Sequence, residues 1–162
     1  MRVIEASFRT CLSTLEVRTS HAPQFIDITD RVSEAITESR VQDGMVCVFS
    51  KHTTLATVIQ ENEPLLMTDM TDLASFVERL APRGAHYRHN DFGVRTVNMH
   101  EDECPNGHSH CQHLVLGTSQ TIPIVDGRMT LGQWQRIFAL ELDADKALQI
   151  DTRQVDVQVM GI

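Results

Sequence analysis

The residues in this chain with the widest chemical repertoire are its eight histidines: His21, His52, His86, His89, His100, His108, His110 and His113. Six of them crowd between positions 86 and 113, in a stretch rich in Gly, Asn and Asp. Imidazole is the common neutral-pH proton carrier and the common ligand for zinc-like ions. One histidine alone is usually just solvated or hydrogen-bonded. A cluster in a polar loop points instead to metal binding or to acid–base work.

Spacing sorts the cluster. His108-Ser109-His110 would face one side in a strand, whereas in a helix residues two apart point about 200° from each other. Asn106 is placed to cap free N–H groups at a helix start. In that helix His110 shares a face with Asn106 and His113, so His110 is the inward candidate and His108 the second choice. Further up the chain, Ser50-Lys51-His52-Thr53-Thr54 leads into an apolar strand that ends at Glu61-Asn62-Glu63. His52 and Glu61 have opposite strand parity, so a bulge or a position beyond the strand end is needed to bring them together. The three polar residues also suit a solvated turn before a helix, whose dipole favours acids. Glu141 sits opposite Phe138, Leu140 and Leu142 on the pleat, which is compatible with exposure or with a polar pocket.

These residues need a scaffold. At 162 residues with 41% hydrophobic and 22% charged side chains, the chain suits a single domain, 1–162, with a substantial core. A net charge of -8 argues against nucleic-acid partners. No apolar run approaches the ~20 residues of a membrane span. The absence of a signal-like start fits a cytoplasmic protein whose four cysteines, Cys11, Cys47, Cys104 and Cys111, are reduced, and Cys104 and Cys111 do not form the CxxC pair of a zinc ribbon.

Alternation over 4–10 predicts a first strand. Ile28, Val32, Ala35 and Ile36 predict a helix over 28–40, ended by Gly44. Strands are expected at 45–50 and 53–60. Leu66, Met70, Leu73, Val77 and Leu80 predict one long helix, stopped by Pro82. A long loop over 83–113 holds a short strand at 94–99, and a helix from Asn106 runs to Gly117. Strands at 121–125 and 128–142 flank an Asp126-Gly127 turn, and Val155, Val157 and Val159 mark a last strand. About seven interspersed strands and two or three helices make the class α+β.

The ordered set of segments also resembles a known family. His52-Thr53-Thr54-Leu55-Ala56, Glu61-Asn62, Tyr87-Arg88-His89-Asn90-Asp91 and Asn106-Gly107-His108-Ser109-His110 are similar to the YjbQ-like family. So are Leu116-Gly117-Thr118-Ser119 with Ile122-Pro123, and Asp126-Gly127-Arg128 followed by Leu131-Gly132-Gln133-Trp134-Gln135 and Glu141. Gln133 departs from the family's usual threonine, and the segment from Asn98 to Pro105 is longer and more acidic than in compact members.

The resemblance implies a mixed, largely antiparallel, sandwich-like β-sheet and a homotrimer, which would allow a site between subunits. It implies a site of His52, His89 and His110 with Glu61, Asp91, Asn106 and Glu141 around them, suited to a divalent ion, zinc or magnesium. The implied activity is secondary thiamine-phosphate synthesis, joining a pyrimidine pyrophosphate to a thiazole phosphate with release of pyrophosphate. Lys51, Arg88 and Arg128 are candidates for the phosphates, but the chain has no glycine-rich phosphate loop. Two other readings stand beside it: a metal-assisted hydrolase, and a non-catalytic trimer that binds a metal or small ligand.

Overall fold

In the computed structural model, residues 7–67, 71–143, 145 and 152–162 are described. Strand β1 (Arg9–Arg18) buries Leu15 and Val17 on one face and turns its alternate residues outward. It starts where the expected strand was to end, because the alternation continues through Leu15 and Val17. Positions 4–6 lie outside the described residues. A short β2 (Gln24–Asp27), not anticipated from the sequence, precedes α1 (Thr29–Ser39). Asp27 Oδ1 accepts the Thr29 N–H at 3.0 Å and so caps the helix.

The helix ends at Arg40, in the left-handed conformation, rather than at Gly44. Gly44 instead opens β3 (Gly44–Ser50) opposite Gly161. A Cβ at Gly44 would lie 2.0 Å from the Met160 carbonyl oxygen, so the two backbones touch at a point with no room for a side chain.

Strand β4 (Leu55–Glu61) follows, then α2 (Pro64–Met67) and α3 (Asp72–Leu80). The predicted long helix is therefore two helices, with Met70 of its stripe outside the described residues. Ala81 is extended ahead of Pro82, which ends α3 as proline does. Residues 94–99 form turns rather than a strand. Arg95 folds back there, with Nη2 donating to the Asn98 carbonyl and Nε to that of Val97, 3.4 Å away.

After α4 (Gly107–Leu116) come β5 (Ser119–Val125), β6 (Arg128–Met129), β7 (Gln135–Glu141) and β8 (Thr152–Gly161). The single strand expected over 128–142 is split by a loop in which the Gln135 side chain accepts the Gly132 N–H. Trp134 stands exposed in that loop rather than in a strand.

The fold is α+β, with all its strand pairings antiparallel among the described residues. One sheet has the order β1-β8-β3-β5-β6 and the other β2-β7-β4. Val46, Val48, Val155 and Val157 of the larger sheet meet Leu55, Ile137 and Ala139 of the smaller, and Val32 and Ile36 of α1 close the same core. A second apolar cluster, Ala56, Leu140, Leu142 and Val77, packs α3 on the other side of the small sheet. The middle strand β7 is thus covered on both faces, which removes the exposed position considered for Glu141. No helix among the described residues is long and apolar enough to cross a membrane.

Candidate functional site

The loop between β3 and β4 joins the two sheets and carries Lys51, His52, Thr53 and Thr54. It is stitched to the start of β8 from both directions. Gln154 N–H donates to His52 Nε2 at 2.9 Å, and Lys51 N–H to the Gln154 carbonyl at 3.4 Å. Arg153 Nη2 reaches Thr54 Oγ1 at 3.3 Å.

Under this loop Arg153 and Glu141 form a buried, two-pronged ion pair, with Nε–Oε2 2.6 Å and Nη2–Oε1 2.7 Å. Glu141 Oε1 also accepts the N–H groups of Leu142 and Asp143 at 3.1 and 3.0 Å. Its carboxylate is saturated, so its task is to hold Arg153.

The other wall comes from a short 3-10 turn (Arg88–Asn90) docked against the start of α4. Asn90 Oδ1 accepts the Gly107 N–H at 2.9 Å and supplies the helix cap. The expected cap, Asn106, does not act as one. Its Nδ2 donates to Asp143 Oδ2 at 2.8 Å, which leaves its buried Oδ1 with no protein partner. Gly107 permits this docking, since a Cβ there would meet Tyr87 Cβ at 2.5 Å. The result sets the His89 and His110 rings edge to face with centroids 4.5 Å apart. His89 Nε2 is also buried without a partner.

Between these walls lies a cleft of about 430 Å³ lined by Lys51, His52, Thr53, His89, Asn106, His110, Asp143 and Arg153, among others. His52, His89, His110 and Asn106 thus share one cavity, and Glu141 backs it through Arg153. Asp91 lines an adjoining hollow of about 540 Å³ with Arg88, His89 and Arg95. Glu61 is elsewhere: it pairs with Gln135 at the far end of β4, roughly 20 Å from the His52 loop at the usual strand rise. Within one chain it does not join the cleft. Arg128 lies beside α1, also away from it. His108 is buried behind the cleft, its Nε2 3.2 Å from Ser109 Oγ.

Burial pushes the His52 ring below the ordinary imidazole range, helped by the charge of Arg153 and opposed by Glu141. Burial, then the neighbouring His89, does the same to His110. Both rings are therefore neutral at neutral pH. Because His52 Nε2 accepts a backbone N–H, the proton of its neutral ring sits on Nδ1. A three-imidazole metal site does not fit this arrangement. His89 and His110 are the rings of the three with lone pairs left for an ion.

Arg153 and Asp143 were missed in the sequence. A signal for Arg153 was available, since it continues the inward parity of Val155, Val157 and Val159 and so places a charge on a core face. Asp143 follows the strand end and carried no comparable mark.

Two antiparallel sheets meet at a polar, histidine-lined cleft in an α+β domain. The chain belongs to the family described as UPF0047 protein YjbQ-like, which it matches over residues 13–162. A UPF0047 protein of Methanothermobacter thermautotrophicus is 37% identical over 147 residues, covering 91% of this chain and 90% of the relative. One from Archaeoglobus fulgidus is 36% identical, covering 90% of this chain and 98% of its own. A YbjQ-like protein of unknown function from Sulfolobus solfataricus has a crystal structure that superposes with a TM-score of 0.82 at 25% identity, over 96% of this chain and 100% of its own.

Proposed function

We propose that the cleft performs acid–base chemistry on a small phosphorylated substrate, with thiamine-phosphate synthesis as the particular reaction. The observation that carries this is the convergence of unmet polar atoms, His89 Nε2 and Asn106 Oδ1, in a cavity that also holds the buried Arg153. Folded proteins leave few buried polar atoms unpaired, and such atoms facing one cavity are suited to a ligand's polar groups.

In that reaction the thiazole nitrogen forms a bond to the pyrimidine's methylene carbon. The carbon–oxygen bond to pyrophosphate breaks, and pyrophosphate leaves with the electron pair. Arg153, Lys51 and the His52 Nδ1–H stabilise charge on the departing group. Asp143 favours the cation developing on the pyrimidine, and His110, held neutral by burial beside His89, can take or return a proton. Purified protein given both precursors should form thiamine phosphate. No product, with or without divalent ions, would sink this reading.

A second reading, a metal-assisted hydrolase, draws support from the His89–His110 pair, which offers two nitrogen ligands. It predicts phosphatase or esterase turnover that disappears on chelation. We also propose a homotrimer, which would cover the apolar residues Leu12, Met45 and Phe49 exposed on the larger sheet. Light scattering would read its mass.

A further inference from the structure

The cleft and the adjoining hollow share a wall, since His89, Arg95 and Asn98 line both. Arg95 stands in that wall with its side chain only 14% exposed. Its backbone N–H hangs from the Asp91 carbonyl at 2.9 Å, directly after the 3-10 turn. Nε and Nη2 are used by the carbonyls of Val97 and Asn98, which fixes the plane of the guanidinium. Nη1 is left buried and without a hydrogen-bond partner. His89 Nε2, in the same wall, is also buried without one.

Arg95 Nη1 faces Glu103 Oε1 at 3.5 Å. Charge-assisted pairs close to about 2.7–2.9 Å, so this contact offsets charge without supplying the missing hydrogen bond. Glu103 is held by its other oxygen, Oε2, which accepts the His100 N–H at 3.2 Å. A guanidinium has only donors, so whatever completes Arg95 must bring an acceptor. The other charged groups lie elsewhere or are engaged. Lys51 and Arg153 are on the opposite wall, the first facing Asp156 at 3.7 Å and the second paired with Glu141. Asp143 accepts from the Asn106 amide at 2.8 Å, and in the hollow Arg88 and Asp91 add one charge of each sign. Beyond burial, His52 feels Arg153, Glu141 and Lys51, whereas His110 feels His89, Asp143, Arg95 and His113. The two arginines thus act on different ends of the cleft.

We infer that Arg95 and His89 form a second anion seat, opposite Lys51 and Arg153, which takes the phosphate of the second substrate while the pyrophosphate of the first lies against Lys51 and Arg153. This rests on the phosphorylated-substrate reading above and deepens it. A phosphate monoester brings three acceptor oxygens. They serve Arg95 Nη1–H, and His89 Nε2 whenever that ring carries its proton there. Glu103 opposes the incoming phosphate and so sets how tightly the seat holds it. Anions kept on opposite walls repel one another less, and the space between them is left to the carbon and nitrogen that must meet.

The test titrates the full chain with inorganic phosphate and follows the imidazole nitrogen resonances, which report the two walls separately. Phosphate should shift the His89 and His110 signals. Arg95→Lys should weaken the affinity read at His89 about tenfold, the value of one charge-assisted hydrogen bond, because lysine keeps the charge but not the fixed fork. Arg95 also holds its own loop, so a second variant separates the seat from the loop. Glu103→Gln removes the opposing charge, while its amide oxygen can still accept the His100 N–H. It should strengthen phosphate several-fold, an effect that a merely structural role would not produce. Lys51→Met, on the opposite wall, should leave the His89 response within about twofold. The inference is overturned if phosphate leaves His89 and His110 in place, or if Arg95→Lys binds like wild type. It is equally overturned if Glu103→Gln does not strengthen binding, or if Lys51→Met abolishes the His89 response. Failure to make thiamine phosphate removes the reaction proposed above but leaves the seat standing, since phosphate binding needs no turnover.

Discussion

Arg153 on β8 and Glu141 on β7 join the larger sheet to the smaller through two hydrogen bonds of 2.6 and 2.7 Å, both side chains buried. Replacing one partner strands the other charge in the core, which typically costs about 3–5 kcal/mol. Glu141→Gln should therefore lower the urea midpoint strongly. Glu141→Gln paired with Arg153→Met should recover part of the loss, because no buried charge then lacks its partner. Equilibrium unfolding of the three variants checks this.

Acid should destabilise the fold through its histidines. Burial lowers His52, His108, His110 and His113 below the ordinary value of 6.5. Above that value the rings are neutral in both folded and unfolded chains and contribute nothing to the pH dependence. As pH falls through 6.5 the unfolded chain binds protons first, so stability drops, and the drop levels off below the folded-state values. Unfolding free energies measured between neutral pH and about pH 5 should show the decline. His113→Gln should make it shallower. A flat profile would contradict the neutral-ring assignment.

Gly107→Ala should separate the histidine pair. The added methyl carbon would sit 2.5 Å from Tyr87 Cβ, so the 3-10 turn carrying His89 must move away from α4. Overpacking of this kind typically costs about 1–3 kcal/mol. The expected result is a folded protein with weakened ligand binding and altered His89 and His110 resonances. Unchanged resonances would show that the docking tolerates a side chain.

Metal content should respond unequally to the three histidines. His89→Ala and His110→Ala should each lower any bound divalent ion several-fold, whereas His52→Ala should not, since its Nε2 is committed to the Gln154 N–H. Elemental analysis of the purified variants decides this. An equal loss on His52→Ala would restore the three-imidazole set implied by the family resemblance.

Much of the scaffold was legible because its elements follow one-sided periodicity. The α1 stripe of Val32, Ala35 and Ile36, the β8 valines and the stop at Pro82 all lie where spacing places them. The misses share a cause: a tertiary contact took over a local signal. Asn106 looked like a cap but spends its amide on Asp143, while the cap comes from Asn90, 17 positions before the Gly107 whose N–H it accepts. Residues 94–99 are the exception: they looked like a strand but are gathered into turns by a local contact, Arg95 folding back on the Val97 and Asn98 carbonyls. Glu141 had two faces to choose from, and both turned out to be covered, because strand parity says nothing about a helix packed on the second face. Within the site, the helical face of His110 could be read locally. The distance of Glu61 could not, because strand length separates residues that a motif lists side by side.

The Gln120 side chain donates to the Thr57 carbonyl at 2.9 Å, and the Thr57 N–H reaches the Gly117 carbonyl at 3.3 Å, so the two sheets are fastened near the cleft by more than the ion pair. The cleft thus straddles a seam and is lined by residues from both sides of it. A ligand gripping both sides acts as a further rivet. Its arrival should be felt as slowed amide exchange in β7 and β8 together, two segments that share no backbone pairing.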